Sequence, residues 1–117
     1  DMLRIAYVTI ESENPRHLAG FWGNLLSADV THEGGEAWLT AATDHGNGYV
    51  NLLFVHTDTP HTGRNRVSLE LSPDDYNEQL NRALNLGATI LEQEPDGEPW
   101  TLLADPEGNE FVILENT

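Results

Sequence analysis

The chain has 117 residues, of which 20 are Asp or Glu and 5 are basic, all of them arginine, giving a formal charge of −15. That balance excludes a nucleic-acid binder, which must neutralise phosphates with clustered cations, and a polybasic membrane anchor. With no cysteine, a disulfide framework, a thiolate nucleophile and a Cys-ligated zinc are excluded as well.

Taken in chain order, Leu3 to Ile10 reads as a first strand. Asn14 can cap the free amides of a helix, and Pro15 suits its first position, where no N–H is needed. Leu18, Phe21, Trp22, Leu25 and Leu26 then fall on one apolar helix face, and the helix should end near Ser27. Ala28 to His32 and Glu36 to Ala41 read as two strands around the turn glycines Gly34 and Gly35. Thr43 to Gly48 is a loop, Tyr49 to His56 a β-rich run, and Thr57 to Gly63 a linker. Arg64 to Leu71 is a strand. Ser72 and Pro73 open a second helix, with Asp74 and Asp75 favourable in its first turn. Tyr76, Leu80, Ala83 and Leu84 make its apolar face, and Gly87 stops it. Thr89 to Glu94, Trp100 to Ala104 and Glu110 to Glu115 are strands, the last two joined by the tight turn Asp105-Pro106-Glu107-Gly108.

The two halves repeat one plan. Asn14-Pro15 returns as Ser72-Pro73, and Leu26-Ser27-Ala28 as Leu86-Gly87-Ala88, about half a chain later. Each half reads strand, helix, strand, strand, strand. The spacing predicts an α+β fold of two tandem βαβββ modules, about residues 2–60 and 61–117, in one domain. A single module would leave a sheet face and open edges uncovered, which is a reason for two. Asp1 ahead of Met2 reads as a cloning remnant, with the natural start expected at Met2.

Three motifs carry a resemblance. They are Ala19-Gly20-Phe21-Trp22 followed by Leu25-Leu26-Ser27-Ala28; Gly63-Arg64-Asn65-Arg66-Val67-Ser68-Leu69-Glu70-Leu71; and Leu86-Gly87-Ala88 with Ala104-Asp105-Pro106-Glu107-Gly108-Asn109-Glu110-Phe111. With the duplication, they resemble the vicinal oxygen chelate superfamily of glyoxalase I, bleomycin-resistance proteins and extradiol dioxygenases, in its glyoxalase-like subgroup. The resemblance covers essentially the whole chain. It implies a cupped, mostly antiparallel sheet with a helix packed on each module, and commonly a homodimer. It also implies a metal held by the first, fourth, fifth and eighth strands. Those ligand positions fall on Tyr7, Asn51, Arg66 and Val112. Val112 has no donor atom, and Arg66 keeps a full positive charge, so the expectation is a protein with no metal and no cofactor. Where relatives of the subgroup often carry His two residues after the arginine, this chain has Ser68.

Arg66 is expected to replace the metal electrostatically, holding a carboxylate, phosphate or enolate-like oxygen, or else to pair with Glu70 and close the cup floor. Ser68 and Glu70 should share its strand face. Tyr7 and Asn51 are expected to point polar groups into the cup. Trp38 and Trp100, on equivalent strands, either stack on a flat ligand or fill space between sheet and helix. Trp22 reads as core. His45, His56 and His61 form no recognised metal spacing, and His17 and His32 read as surface. No G-x-S-x-G elbow, P-loop or G-x-G-x-x-G is present.

Catalytic residues cannot be assigned from this pattern. The leading expectation is a protein that binds a small molecule with one anionic group, without the usual metal. The alternatives are a glyoxalase-type lyase or isomerase, a dioxygenase-related enzyme, and an interaction module with a vestigial cup. No apolar run approaches the roughly 20 residues of a membrane helix, and no signal peptide is visible, so the cytoplasm is the expected location.

Overall fold

A computed structural model describes residues 3, 5–40 and 51–115. Arg4, Ala41, the loop Thr43 to Gly48 with His45, and Tyr49 lie outside the described residues. The chain divides into two compact units, residues 1–60 and 61–117. Each is one βαβββ module built on a four-stranded mixed sheet.

In the first unit the order is β1 (Tyr7–Ser12), α1 (Pro15–Leu26), β2 (Asp29–Glu33), β3 (Glu36–Thr40) and β4 (Asn51–His56). The first strand starts and ends later than its hydrophobic pattern suggested. It is held by parallel pairing with β4, Tyr7 opposite Asn51 through Ser12 opposite His56. Its end is fixed by Ser12, whose buried hydroxyl accepts from the Asn14 amide at 2.9 Å. Asn14 then caps α1 by accepting from the His17 amide at 3.2 Å. The sheet runs β1-β4-β3-β2, and β2 and β3 are joined at Gly34-Gly35, where Gly34 takes φ +60.

Leu18, Ala19, Phe21, Trp22 and Leu25 of α1 are buried, as are Ala37, Leu39, Leu52 and Phe54 of the sheet. Trp22 is core, as expected, and meets Phe21 edge-on at 5.5 Å between ring centroids. Burying each leucine or phenylalanine of this set contributes roughly 1.5–3 kcal/mol. The helix ends on Ser27 in the left-handed region, φ 54 and ψ 45.

The second unit runs β5 (Leu69–Leu71), α2 (Tyr76–Leu86), β6 (Thr89–Gln93), β7 (Trp100–Ala104) and β8 (Glu110–Leu114), with sheet order β5-β8-β7-β6. Here β5 is parallel to β8, and β6 carries an irregularity between Ile90 and Glu92. Two expectations are corrected. The strand expected over Arg64 to Leu71 is only three residues long, because residues 64 and 65 bond to β8 through side chains rather than a ladder. The second helix is capped by Asp75, which accepts from the Glu78 amide at 3.1 Å, and not by Ser72-Pro73. Leu80 and Ala83 are its buried residues. The Tyr76 hydroxyl ties its first turn to the buried Thr101 hydroxyl of β7.

The turn from β7 to β8 is built around one carboxylate. Asp105 is buried and accepts from the amides of Glu107 (2.9 Å) and Asn109 (3.0 Å) and from the Asn109 side chain. Gly108 takes φ +89 to close the turn.

Candidate functional site

Alternation along strands and the pairing register decide which side chains share a sheet face. In the first module Ala37 and Leu39 of β3, and Leu52 and Phe54 of β4, are buried beneath α1. Trp38 and Asn51 therefore lie on the opposite face, with Tyr7, the register partner of Asn51. Trp38 pairs with Leu53, two residues along from Asn51. Three of the expected ligand-binding residues thus share one face within one module. Trp38 and Asn51 are half-buried and Tyr7 is 48% exposed. The Asn51 side chain donates to the Ala6 carbonyl at 3.4 Å, a long contact for a hydrogen bond.

In the second module Thr101, Leu103, Phe111 and Ile113 form the helix side. Trp100, paired with Leu114, lies on the other face with Val112, Glu110 and Glu70, the last being the register partner of Val112. Trp100 is half-buried and Glu70 is exposed.

Arg66 and Ser68 do not belong to that strand. Both precede β5 and both are exposed. Arg66 makes no ion pair among the described residues, so the expected pairing with Glu70 is not formed. It is also not the positional counterpart of Tyr7. Counted back from the helix caps Asn14 and Asp75, the counterpart of Tyr7 is Ser68; counted by strand pairing, it is Glu70. Neither count reaches Arg66.

The arginine with a buried partner is Arg64. Its Nε donates to Glu110 at 2.8 Å, and the same carboxylate oxygen accepts from the Asn65 amide at 3.1 Å. The Asn65 side-chain oxygen in turn accepts from the Glu110 amide at 3.2 Å. The Arg64 hydrogen bond is the main reason that the Glu110 carboxyl is held below its ordinary pKa, and the guanidinium is correspondingly raised. This network joins two of the sequence motifs, the Gly63–Leu71 segment and the Asp105–Phe111 turn. Their spacing in sequence gave no sign that they meet.

A divalent metal is not well served by these residues. Val112 is a buried aliphatic side chain, Arg66 is a guanidinium outside the strand, and Tyr7 and Asn51 offer a phenol and a carboxamide rather than a carboxylate or imidazole. Such an ion needs several oxygen or imidazole donors, usually with anionic charge. Among the described residues no group of three His, Asp or Glu could hold one.

The glyoxalase-like domain family matches residues 7–114, and the chain belongs to that family within the glyoxalase, bleomycin-resistance and dioxygenase superfamily. No curated protein matches it by sequence. Several solved structures share its fold. A glyoxalase/bleomycin resistance protein/dioxygenase family enzyme from Burkholderia phytofirmans PsJN is 16% identical, with a TM-score of 0.75 over 95% of this chain and 97% of that one. A fosfomycin resistance protein from Listeria monocytogenes, solved with Mn(II) and a dihydroxypropylphosphonic acid, is 15% identical, with a TM-score of 0.76 over 100% of this chain and 93% of that one. Glyoxalase I of Leishmania major, a trypanothione-dependent enzyme, is 13% identical, with a TM-score of 0.70 over 97% and 87%. At such identities the likeness is one of fold. Among the described residues no helix is long and apolar enough to cross a membrane.

Proposed function

We propose that this chain is a small-molecule-binding glyoxalase-like protein that holds its ligand without the family's metal. The observation that carries this reading is the shared face of Tyr7, Asn51 and Trp38. A phenol, a carboxamide and an indole offered together suit a flat polar ligand, with the indole for stacking and the other two for orientation. The second module adds Trp100 and Glu70 on its own face, with Ser68 and Arg66 on the segment leading into β5. Arg66, exposed and without an ion pair among the described residues, gives the second module its own cation for one anionic group. The ligand class is therefore a neutral or zwitterionic small molecule bearing one carboxylate or phosphate. The chain acts as a homodimer in the cytoplasm under this reading.

The competing reading is a lyase, isomerase or dioxygenase-related enzyme of the glyoxalase type. The poor donor set described above weighs against it. Native mass spectrometry and elemental analysis of the purified protein separate the two. Binding predicts a co-purifying or added small molecule and no stoichiometric Ni, Zn, Mn or Fe. The Asn51→Ala and Trp38→Ala variants should lose that molecule while keeping their fold. Lactoylglutathione formation by the protein, or a stoichiometric metal needed for it, would overturn the proposal.

A further inference from the structure

The first unit has a second concave feature, separate from the Tyr7–Asn51–Trp38 face. It is a cleft of about 320 Å³ lined by the start of α1 (Glu13, Asn14, Pro15 and Arg16), the β2–β3 turn (His32, Gly34, Gly35 and Glu36) and His56 at the end of β4. That volume is at the lower end of small-molecule sites.

Arg16 and Glu36 both line the cleft, yet no ion pair joins them or links Arg16 to any described carboxylate. Opposite charges that share a cleft without closing on each other leave room for a third body that satisfies both. His56 is oriented, because its Nε2 lies 2.8 Å from the Asp58 carboxylate. That contact leaves Nδ1 as the ring nitrogen for a further partner. The turn glycines leave the mouth open, since a Cβ on Gly34 or Gly35 would meet no atom within 4 Å.

We infer that this cleft is a binding site for a small zwitterion, with the anionic group on Arg16 and the ammonium group on Glu36. A simple anion is disfavoured by the two carboxylates and by the −15 charge of the chain. A simple cation is disfavoured by Arg16 and by the positive end of α1. A molecule with both groups, of amino-acid or dipeptide size, meets both demands. His56 hydrogen-bonds the polar centre between them.

The test is a titration of the intact protein followed by amide NMR, with glycylglycine, N-acetylglycine (anion only) and glycinamide (cation only) as probes. Saturable shifts are expected at Arg16, Gly35, Glu36 and His56 with glycylglycine, and at least tenfold weaker binding of the two singly charged probes. Arg16→Ala should weaken glycylglycine at least tenfold. Gly35→Tyr, at a position with free space, should block it with an otherwise unchanged spectrum. Absence of saturable shifts at these amides overturns the site. Equal binding of all three probes, or an unchanged affinity in Arg16→Ala, overturns the zwitterion assignment. Because the readout is local to the cleft, failure here is distinct from failure of ligand binding at Tyr7, Asn51 and Trp38.

Discussion

Asn65 and Glu110 exchange hydrogen bonds. The Glu110 carboxylate accepts from the Asn65 amide, and the Asn65 side-chain oxygen accepts from the Glu110 amide. The pair does the work of a strand ladder where β5 has not yet begun. Glu110→Ala leaves the Asn65 amide without its acceptor beside a part-buried site, and is expected to cost about 1–3 kcal/mol. Glu110→Gln keeps a carbonyl acceptor and should cost less. Arg64→Ala should cost less than about 1 kcal/mol, because the Arg64 side chain is 76% exposed and solvent screens such pairs. Shifts in the urea midpoint give this ranking directly.

Two glutamates of the second module should respond to pH in opposite senses. The Glu110 carboxyl is held below its ordinary pKa, chiefly by the Arg64 hydrogen bond. Its contribution is present in full above the ordinary glutamate range, near pH ~4.3, and is lost as pH falls through the lowered folded value. Glu115 is raised, first by its hydrogen bond to Glu94, then by burial and the Glu94 charge. Its contribution is present below the ordinary range and is lost as pH rises through the raised folded value. Glu115→Gln should therefore raise the melting temperature at neutral pH, with the gain disappearing in acid. A gain that grew in acid would contradict this assignment.

Two glycines of α1 should respond in opposite ways to the same substitution. A Cβ on Gly23 would lie 2.5 Å from Val30 Cγ2 and 3.3 Å from the Ala28 carbonyl oxygen. The β-branched valine and the backbone oxygen have little freedom to yield, so Gly23→Ala should destabilise by about 1–3 kcal/mol despite alanine's helix preference. A Cβ on Gly20 meets nothing within 4 Å, and Gly20→Ala should stabilise by about 0.5–1 kcal/mol. Thermal melts of the two single variants decide it.

The helix stops of the two modules differ at one position. Ser27 is left-handed at φ 54, while Gly87 holds the corresponding place at φ 120. A side chain in that region carries a steric cost that glycine avoids, so Ser27→Gly should stabilise by about 1 kcal/mol. Gly87→Ser should destabilise. A Ser27→Gly melting temperature at or below that of the parent would show that the serine side chain compensates for its backbone.

The repeat was legible because each helix carries its own stop, and because Asn14-Pro15 and the apolar spacing from Leu18 to Leu26 admit one reading. The second cap was not. Ser72, Asp74 and Asp75 are all good capping residues, and the choice of Asp75 shows only in the hydrogen bond from Glu78. For Trp38 the sequence left two readings open, stacking on a ligand or filling space beneath the helix, and only the burial of Ala37 and Leu39 puts it on the face away from α1. Alternation could not supply register, so the nearness of Asn51 to Tyr7 was visible only through the family resemblance. Arg66 was misplaced for a related reason. The alternating residues from Arg64 to Leu71 look like one strand, yet side chains from Glu110 and Asn65 have taken over the pairing of its first half. The Asp105–Glu110 motif that helped to identify the family proves to be a turn organised by a buried carboxylate, which explains why it marks the fold and is silent about chemistry.

The parallel pairings carry a consequence for biogenesis. Each module joins its first strand to its last, β1 to β4 and β5 to β8. Neither sheet can be completed until the end of its own half has left the ribosome. Such long-range closure is slow compared with helix formation. The first half has all of its strands while the second is still being synthesised, so pairing within the first module can begin on the nascent chain. Until β4 emerges, β1 waits with an unpaired edge, an interval in which the like negative charges of neighbouring chains repel one another.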